Sequence, residues 1–357
     1  MTLVCRDCGR EYPADSPWRC TCGYPLDFAE QPLPDSDTPA IGSRDDGLWA
    51  FADFLPVERR VSFGEGWTPL VDAPEWDVQF KLESLFPTAS FKDRGATATI
   101  SRAVELGVDR VVEDSSGNAG LAIATYAARA GIDAEIFVPA DAKPGKLRAI
   151  ERTGAALRKI EGSRQDVTDA CVEAVNKSDA YYASHAWDPA FFAGTATAAM
   201  EVAAQRDWTA PDAFVTPLGH GTLFLGAYRG FRALQKAGWI DSIPTLLGAQ
   251  AAGVAPVVEA LGGDPGGSRN DAADGIQISE PVRMKQILDA IEATDGDAVA
   301  VSTAATQREH DRLARAGFHV EPTCATATAA LRQFRERGVI DDTDDVVVAL
   351  TGSGLKG

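Results

Sequence analysis

The chain lacks any apolar run near the roughly 20 residues that a transmembrane helix needs, and residues 1–20 lack the basic-then-apolar plan of a signal peptide. Basic residues are also scarce, with 34 against 52 acidic residues and a net charge of −18. Nucleic acid and anionic membranes both require a positive face, so neither is expected as a partner. The sequence therefore predicts a soluble cytoplasmic protein.

The acidic excess itself has two explanations. The acids are scattered and rich in Asp, as in "DDTDD" (341–345), rather than gathered into a tail. One hypothesis is a halophile-like surface, because concentrated salt screens the self-repulsion of crowded carboxylates. The other is ordinary acidic solubility, and the dependence of unfolding on salt concentration distinguishes the two.

Cysteine is rare, and four of the six cysteines lie within the first 22 residues. These four are Cys5, Cys8, Cys20 and Cys22. A CxxC pair followed by a CxC pair, each trailed by glycine, is typical of a tetrahedral structural zinc site, and disulfides are disfavoured in the cytoplasm. Free thiols are the alternative. The other two, Cys171 and Cys324, stand in apolar helical contexts and are predicted to be core residues.

The body of the chain alternates short apolar runs with helical patterns. Predicted strands cover 109–114, 133–139, 212–218, 244–250, 297–302 and 344–352, and predicted helices cover 89–107, 117–131, 222–238, 281–294 and 326–338. This alternation predicts an α/β architecture with largely parallel sheets. The Pro/Asp/Ser-rich stretch 30–46 has no periodicity and indicates a linker before the main domain.

Polar residues and glycines follow three of these strands, where open parallel sheets bind their ligands. "EDSSGNAG" (113–120) can present backbone N–H groups and an amide to a small carboxylate, although helix capping explains one of its polar residues. "VTPLGHGTLFLG" (215–226) suits a phosphate, but it is neither a Walker loop nor a dinucleotide fingerprint. "VVVALTGSGLKG" (346–357) is either a third part of the site or a glycine-rich tail.

A lysine stands out in "PTASFKDRG" (87–95), because most basic residues of this chain are arginines. Lys92 is either a solvated helix-terminus lysine or a buried amine nucleophile. Burial and a cationic neighbour such as Arg94 can lower the pKa of an amine, which nucleophilic chemistry near neutral pH requires. The same residues also fit the start of a helix.

These motifs, in this order, resemble those of fold-type II pyridoxal-phosphate (PLP) enzymes of the tryptophan synthase β superfamily, and within that group the threonine synthases. The cysteine-rich head and "FGEGWTPLV" (63–71) add to the resemblance, which covers nearly the whole chain. It implies a doubly wound α/β homodimer with a PLP cleft between two domains. The implied division is a zinc-ribbon-like segment (1–28), a linker (29–46), a large PLP-binding domain (47–95 and 195–357) and a smaller inserted α/β domain (96–194).

The resemblance also implies the roles of site residues. Lys92 would carry PLP covalently and then move protons on the substrate. Thr351 would face the pyridine nitrogen, where a neutral hydroxyl makes a milder electron sink that favours elimination and replacement over transamination. The other implied cofactor contacts are Asn118, Gly219, His220, Gly221 and Thr222. The implied substrate contacts are Ser115, Ser116, Gly117, Ala119 and Ser184.

The stretch "SHAWDPAFFAGTATAAMEV" (184–202) departs from the threonine synthase pattern N-P-x-R-x-x-G-Q-K-T. Asp188 replaces Asn, Phe191 replaces Arg, and Ala196 replaces Lys. No Arg or Lys lies between Lys177 and Arg206, so a shifted alignment does not restore the cations. A dianionic phosphate would lose charge-assisted hydrogen bonds worth roughly 1.5–3 kcal/mol each, and it would be repelled by the added acid.

Three functions therefore remain open. The first is a threonine synthase that converts O-phosphohomoserine into threonine and phosphate with a rebuilt phosphate pocket. The second is a paralogue that performs β-elimination or β-replacement on a less anionic amino acid, which Phe191 and Phe192 would suit. The third is a non-catalytic PLP- or nucleotide-binding protein. Gln250 and Thr68 are further candidate contacts, each with an equally good structural explanation.

Overall fold

A computed structural model describes residues 2–142 and 144–356. Its strands are β1 (Thr2–Cys5), β2 (Glu11–Pro13), β3 (Leu26–Phe28), β4 (Leu70–Ala73), β5 (Val78–Lys81), β6 (Arg110–Glu113), β7 (Asp133–Pro139), β8 (Ala156–Ile160), β9 (Tyr181–Tyr182), β10 (Ala213–Pro217), β11 (Thr245–Ala251), β12 (Asp297–Val301) and β13 (Val346–Ala349). Its α-helices are α1 (Lys92–Glu105), α2 (Asn118–Ala130), α3 (Pro144–Glu151), α4 (Arg164–Asn176), α5 (Pro189–Gln205), α6 (Thr222–Lys236), α7 (Pro256–Ala260), α8 (Met284–Ala293), α9 (Thr303–Arg315) and α10 (Pro322–Glu336). The 3₁₀ segments are Arg44–Phe54, Asp274–Ile276 and Gly354–Lys356.

The largest sheet has the strand order β12-β11-β10-β13-β5-β4 among the described residues. Its strands run parallel except β4, which pairs antiparallel with β5. In the centre, Val215 on β10 pairs with Leu247 on one side and Val348 on the other. Every residue of β10 and β13 is buried, as expected for parallel strands whose two faces are both covered.

A second sheet, with the order β8-β7-β6-β9, is parallel throughout in the described part of the chain. These two largely parallel sheets, whose strands alternate with helices along the chain, confirm the predicted α/β fold. The strands of the second sheet lie between residues 110 and 182, inside the predicted inserted domain. The exact domain bounds stay a prediction, and their outermost residues Met1 and Gly357 lie outside the described residues.

The first 28 residues form a small antiparallel sheet in the order β2-β1-β3. We call residues 2–28 the cysteine head. Its interior is formed by four buried side chains, namely Leu3, Cys5, Cys20 and Leu26. An apolar cluster of this size stabilises little by itself, so the head depends on further links for its stability.

Helices α1 and α5 cross in close contact. A Cβ atom on Gly95 would lie 2.0 Å from the Phe191 ring, and one on Gly194 would lie 2.0 Å from the backbone oxygen of Arg94. Only glycine permits this approach at both positions. The crossing therefore holds the start of α1 beside the start of α5.

Among the described residues, no helix combines the length and the apolar character needed to cross a bilayer.

Candidate active site

Lys92 is half-buried as the first residue of α1, which begins beside the end of β13, because the Phe91 N–H donates to the Thr351 carbonyl oxygen. Its Nζ lies 4.6 Å from the centroid of the Phe91 ring and 5.7 Å from that of Phe191. Burial lowers the pKa of this amine to about 8, against the opposing influence of the Glu113 and Glu321 carboxylates. Lys92 therefore has a substantial neutral fraction near physiological pH, as a nucleophilic amine requires.

Arg94 does not cause this shift, because its guanidinium is engaged elsewhere. It donates to both oxygens of Glu83 at 2.7 Å and to both oxygens of Glu201 at 2.6 and 2.8 Å. Lys81 adds a second buried cation to this cluster through a 2.8 Å bond to Glu201. Arg94 is thus a structural residue of helix α1, the second of the two interpretations of "KDRG".

Thr68 belongs to the same buried cluster. Its hydroxyl donates to Glu83 Oε1 at 2.7 Å. Gln250 is structural as well, since its side-chain oxygen accepts from the backbone N–H groups of Val257 and Val258 at 2.8 and 3.2 Å. For both residues the structural explanation given by the sequence is the better one.

The loop Gly219–Thr222 connects β10 to α6, and its His220 lies close enough to Lys92 for the charge of the amine to act on the imidazole. Gly221 has a φ of +76°, and a Cβ atom there would lie 2.7 Å from Ile287. Among the described residues, His220 Nδ1 and Thr222 Oγ1 are buried without a hydrogen-bond partner. Burial lowers the pKa of His220 to about 3, so the imidazole is neutral and can donate one hydrogen bond. This polar cradle at a helix N-terminus fits a phosphate group.

The loop before α2 forms the second wall. Ser115 Oγ accepts from the backbone N–H of Gly117 at 3.2 Å, and a Cβ atom on Gly120 would lie 1.8 Å from the Ser115 carbonyl oxygen. Ser115, Ser116 and Gly117 are half-buried, whereas Ala119 is buried. The start of α2 is thus tightly turned and partly open, which leaves backbone N–H groups available to a carboxylate.

Asn118 lies between two charged side chains that the sequence analysis did not identify. Its Nδ2 donates to both oxygens of Glu321 at 3.1 and 3.0 Å, and its Oδ1 accepts from Lys356 Nζ at 2.7 Å. Lys356 also donates to the carbonyl oxygen of Thr88 at 3.0 Å. The final turn of the described chain therefore packs against the predicted cofactor residue.

Thr351 lies beside the turn that carries Lys92. Its carbonyl oxygen accepts from the backbone N–H of Phe91 at 3.0 Å, and its hydroxyl lies 3.4 Å from Cys324 Sγ. Ser90 Oγ is buried nearby without a partner within the described residues. Cys324, predicted to be a core residue, is buried but also contacts a predicted cofactor residue.

Ser184 is buried and follows β9, and the next residue, His185, contacts a strand end of the same sheet. His185 Nδ1 lies 2.7 Å from Glu113 Oε1, and the rings of His185 and His220 are 5.4 Å apart. Burial raises the pKa of Glu113 well above its usual value and lowers that of His185 well below its own. Burial thus disfavours the charged form of both side chains, and the contact between the two imidazole rings links the segment of Ser184 to the glycine loop.

The three departures in the α5 stretch have different surroundings. Asp188 caps α5 by accepting from the Ala190 N–H at 2.7 Å, and it lies 3.5 Å from Arg102. Its charge is therefore balanced locally, which weakens the repulsion expected from the sequence. Phe191 is fully buried beside Lys92, whereas Ala196 faces a separate groove that contains Arg229.

The four cysteines of the head converge. Cys5 Sγ lies 3.6 Å from Cys22 Sγ, Cys8 Sγ lies 3.5 Å from Cys20 Sγ, and all four sulfurs lie within 4.8 Å of one another. Four thiolates at about 2.3 Å from a tetrahedral metal would be about 3.8 Å apart. The cluster therefore has a geometry suited to a metal ion.

The chain matches the family described as pyridoxal-phosphate dependent enzymes over residues 61–352. It belongs to this family. The fold agrees with this membership: maize serine racemase superposes with a TM-score of 0.69 at 21% identity, over 80% of this chain and 88% of that structure.

Within the family, the chain is similar to threonine synthases. It is 32% identical to the threonine synthase of Methanocaldococcus jannaschii over 100% of this chain and 93% of the relative. It is also 32% identical to the threonine synthase of Methanosarcina acetivorans over 99% of this chain and 92% of the relative. These similarities confirm the resemblance stated from the motifs, and they extend to the cysteine head.

Proposed function

We propose that the protein is a PLP-dependent lyase that converts O-phosphohomoserine into threonine and phosphate by elimination and water addition. The observation that carries the proposal is the Lys92 amine, whose pKa is lowered to about 8 and whose charge acts on His220 of a glycine loop with unpartnered buried polar atoms. The full-length similarity to threonine synthases supports the substrate class.

The residues of the cleft suit PLP. Lys92 would hold the cofactor covalently, and the loop Gly219–Thr222 would bind its phosphate through backbone N–H groups and the unpartnered His220 Nδ1 and Thr222 Oγ1. Asn118 would contact the ring hydroxyl, and Thr351 would face the pyridine nitrogen. When bound, PLP supplies an electron sink for elimination.

The substrate would bind at the opposite wall. Ser115, Ser116, Gly117 and Ala119 would receive its carboxylate at the start of α2, where aligned N–H groups favour an anion. Ser184 would contact the remainder of the substrate from the segment after β9. The neutral form of Lys92 would then accept the proton removed from the substrate, since burial keeps this amine from holding its proton tightly.

A second candidate function rests on Phe191. Its ring is buried beside Lys92 at the position where threonine synthases carry an arginine. An apolar ring cannot form a charge-assisted hydrogen bond with a phosphate. The alternative is therefore β-elimination or β-replacement on a less anionic amino acid.

Three further features belong to the proposal. The cysteine cluster would hold a structural zinc ion, because all four ligands are sulfur and no position remains for a reacting water. The active form would be a cytoplasmic homodimer, and the cleft would lie between a large domain (47–95 and 195–357) and an inserted domain (96–194). Metal analysis and the mass of the protein in solution test the first two.

The deciding experiment measures phosphate release from O-phosphohomoserine at high salt. The protein used must show a visible absorption band with PLP, and this band must be absent from the Lys92→Ala variant. Release of phosphate together with threonine would support the proposed reaction. A Lys92-dependent absorption band without phosphate release would favour the second candidate, which a series of β-substituted amino acids would then test. Absence of the band would contradict both.

A further inference from the structure

The cysteine head packs against the segment that carries Ser184. We call residues 182–188 the site segment. Trp18 of the head lies between two aromatic residues of this segment. Its ring centroid lies 5.0 Å from that of Tyr182 and 4.7 Å from that of Trp187, both edge to face. Such pairs contribute about 0.5–1.5 kcal/mol each beyond burial of their area. Ser184 and His185 therefore lie between two residues that the head contacts.

A buried arginine joins the same two parts of the molecule. Arg283 is fully buried and donates to Asp27 Oδ1 at 2.8 Å and to the Leu26 carbonyl oxygen at 3.0 Å, both in the head. It also donates to the Trp187 carbonyl oxygen at 2.8 Å. A guanidinium presents several donors in a rigid plane, so one side chain fixes the head relative to the site segment.

The helix that begins with Lys92 also contacts the head. Near its other end, Arg102 donates to the Ala14 carbonyl oxygen at 2.9 Å, and its guanidinium lies over the Phe28 ring at 5.2 Å. The same guanidinium lies 3.5 Å from Asp188, the residue that caps α5. The head thus contacts α1, the site segment and the start of α5.

We propose that the metal-bound cysteine head positions the site segment, and with it Ser184. Trp18 and Arg283 are the positioning residues. This inference rests on the proposed role of Ser184 in binding substrate. The head has a small apolar interior, so a metal ion held by four cysteines supplies much of its rigidity. Loss of the metal releases Trp18 and the Leu26–Asp27 backbone, and the site segment then loses its support.

The first test measures hydrogen exchange in the full-length protein before and after metal removal by a chelator. The informative amides are those of Ala183 and Asp188, which donate to Val112 and Ser184 carbonyl oxygens at 2.9 Å each. Metal removal is expected to accelerate their exchange at least about tenfold, while amides of β10 keep their rates. Unchanged exchange in the site segment would overturn the inference, and an equal rise in β10 would do so by indicating general destabilisation.

Matched variants separate positioning from head stability. Trp18→Ala is expected to reproduce most of the effect of metal removal, and Trp18→Phe to restore part of what is lost. Metal removal from Trp18→Ala should add less than it does in the unmodified protein, because the two changes share the Trp18 link. Arg283→Lys keeps the charge but loses the planar fork, and it serves as a second variant. Arg6→Ala is the control, since the bonds of Arg6 go to Phe28 and Ala29 and not to the site segment.

Kinetics provide an independent readout. With O-phosphohomoserine, Trp18→Ala is expected to raise KM about tenfold and to change kcat less than about threefold, because substrate binding loses a positioned wall while Lys92 stays in place. The absorption band of bound PLP should persist. A fall in kcat with an unchanged KM would contradict the inference. Absence of the band in the unmodified protein would instead contradict the proposed function, and the exchange experiment would still decide the role of the head.

Discussion

At the scale of single residues, the ionisation of Lys92 leads to a direct prediction. Its pKa of about 8, lowered by burial, leaves roughly a tenth of the amine neutral at pH 7, against about one part in three thousand for an ordinary lysine. In the proposed reaction the neutral amine is the nucleophile, so the rate at which PLP combines with the cofactor-free protein should rise with pH and level off above about pH 8. Stopped-flow absorbance measures this rate.

Two variants control this experiment. Lys92→Ala should give no absorption band at any pH. Lys236→Ala removes an exposed lysine at the end of α6 and should leave the profile unchanged. A rate that continues to rise to pH 10 would mean that the amine is not buried as described.

Asn118 provides a second prediction at this scale. An ammonium group only donates hydrogen bonds, so Lys356 requires the side-chain oxygen of Asn118 to face it, and Nδ2 then faces the other way. Lys356→Met removes this constraint and lets the amide rotate. In the proposed site Asn118 contacts the ring hydroxyl of PLP, and a rotated amide would lose this hydrogen bond. We therefore expect PLP to bind about tenfold more weakly, as for the loss of one hydrogen bond to a charged group.

A titration of cofactor-free protein with PLP measures this affinity. Lys356→Arg should recover part of it, because a guanidinium also donates to the amide oxygen. Lys236→Met is the matched control for loss of a lysine. Equal affinity in Lys356→Met and the unmodified protein would refute an orienting role for Lys356.

At the scale of secondary-structure elements, the buried ion cluster holds α1 against α5 and β5. Arg94 of α1 pairs with Glu83 and with Glu201 of α5, which also pairs with Lys81 of β5. Removing one partner leaves a buried charge without compensation, so Arg94→Met should cost about 3–5 kcal/mol in the free energy of unfolding. Arg59→Ala, which breaks an exposed pair with Asp46, should cost no more than about 1 kcal/mol. Urea unfolding measures both, and similar costs would contradict the importance of burial.

The same cluster predicts the response to acid. Arg94 and Lys81 lower the pKa of Glu201 despite its burial. A glutamate has an unfolded pKa of about 4.3. When its folded pKa is lower, the carboxylate contributes stability above the unfolded pKa and loses this contribution as the pH falls toward the folded pKa. The free energy of unfolding should therefore decrease as the pH is lowered past about 4. Glu201→Gln should show a smaller slope of this free energy against pH in the same range. An unchanged slope would assign acid sensitivity to other carboxylates.

At the scale of the whole molecule, a net charge of −18 predicts a dependence of stability on salt. Salt screens repulsion among exposed carboxylates, so the urea midpoint should increase between dilute buffer and molar potassium chloride. Such an increase would support the hypothesis of a halophile-like surface. Greatest stability in dilute buffer would favour ordinary acidic solubility.

The sequence by itself determined the fold class, the cofactor class and the positions of six strands and five α-helices. Buried strands and amphipathic helices leave periodic apolar patterns, and polar residues after strand ends mark a site because a parallel sheet brings those ends together. Thus the strands from 109–114 to 344–352 were predicted close to their observed bounds. The elements that were not predicted include β8, α3, α4, α5 and α9, although Ser163 and Asp166 form a capping box at the start of α4.

Only the tertiary structure decided which distant residues meet. Glu321 and Lys356 are 203 and 238 positions from Asn118, and no periodic signal connects them. The same holds for Arg283, which links Leu26 and Asp27 to Trp187. Local patterns report which face of an element is buried, whereas partners across the fold depend on how whole elements pack. For this reason the motifs of the candidate site were visible in the sequence, and the contacts that Asn118 and the site segment make with distant residues were not.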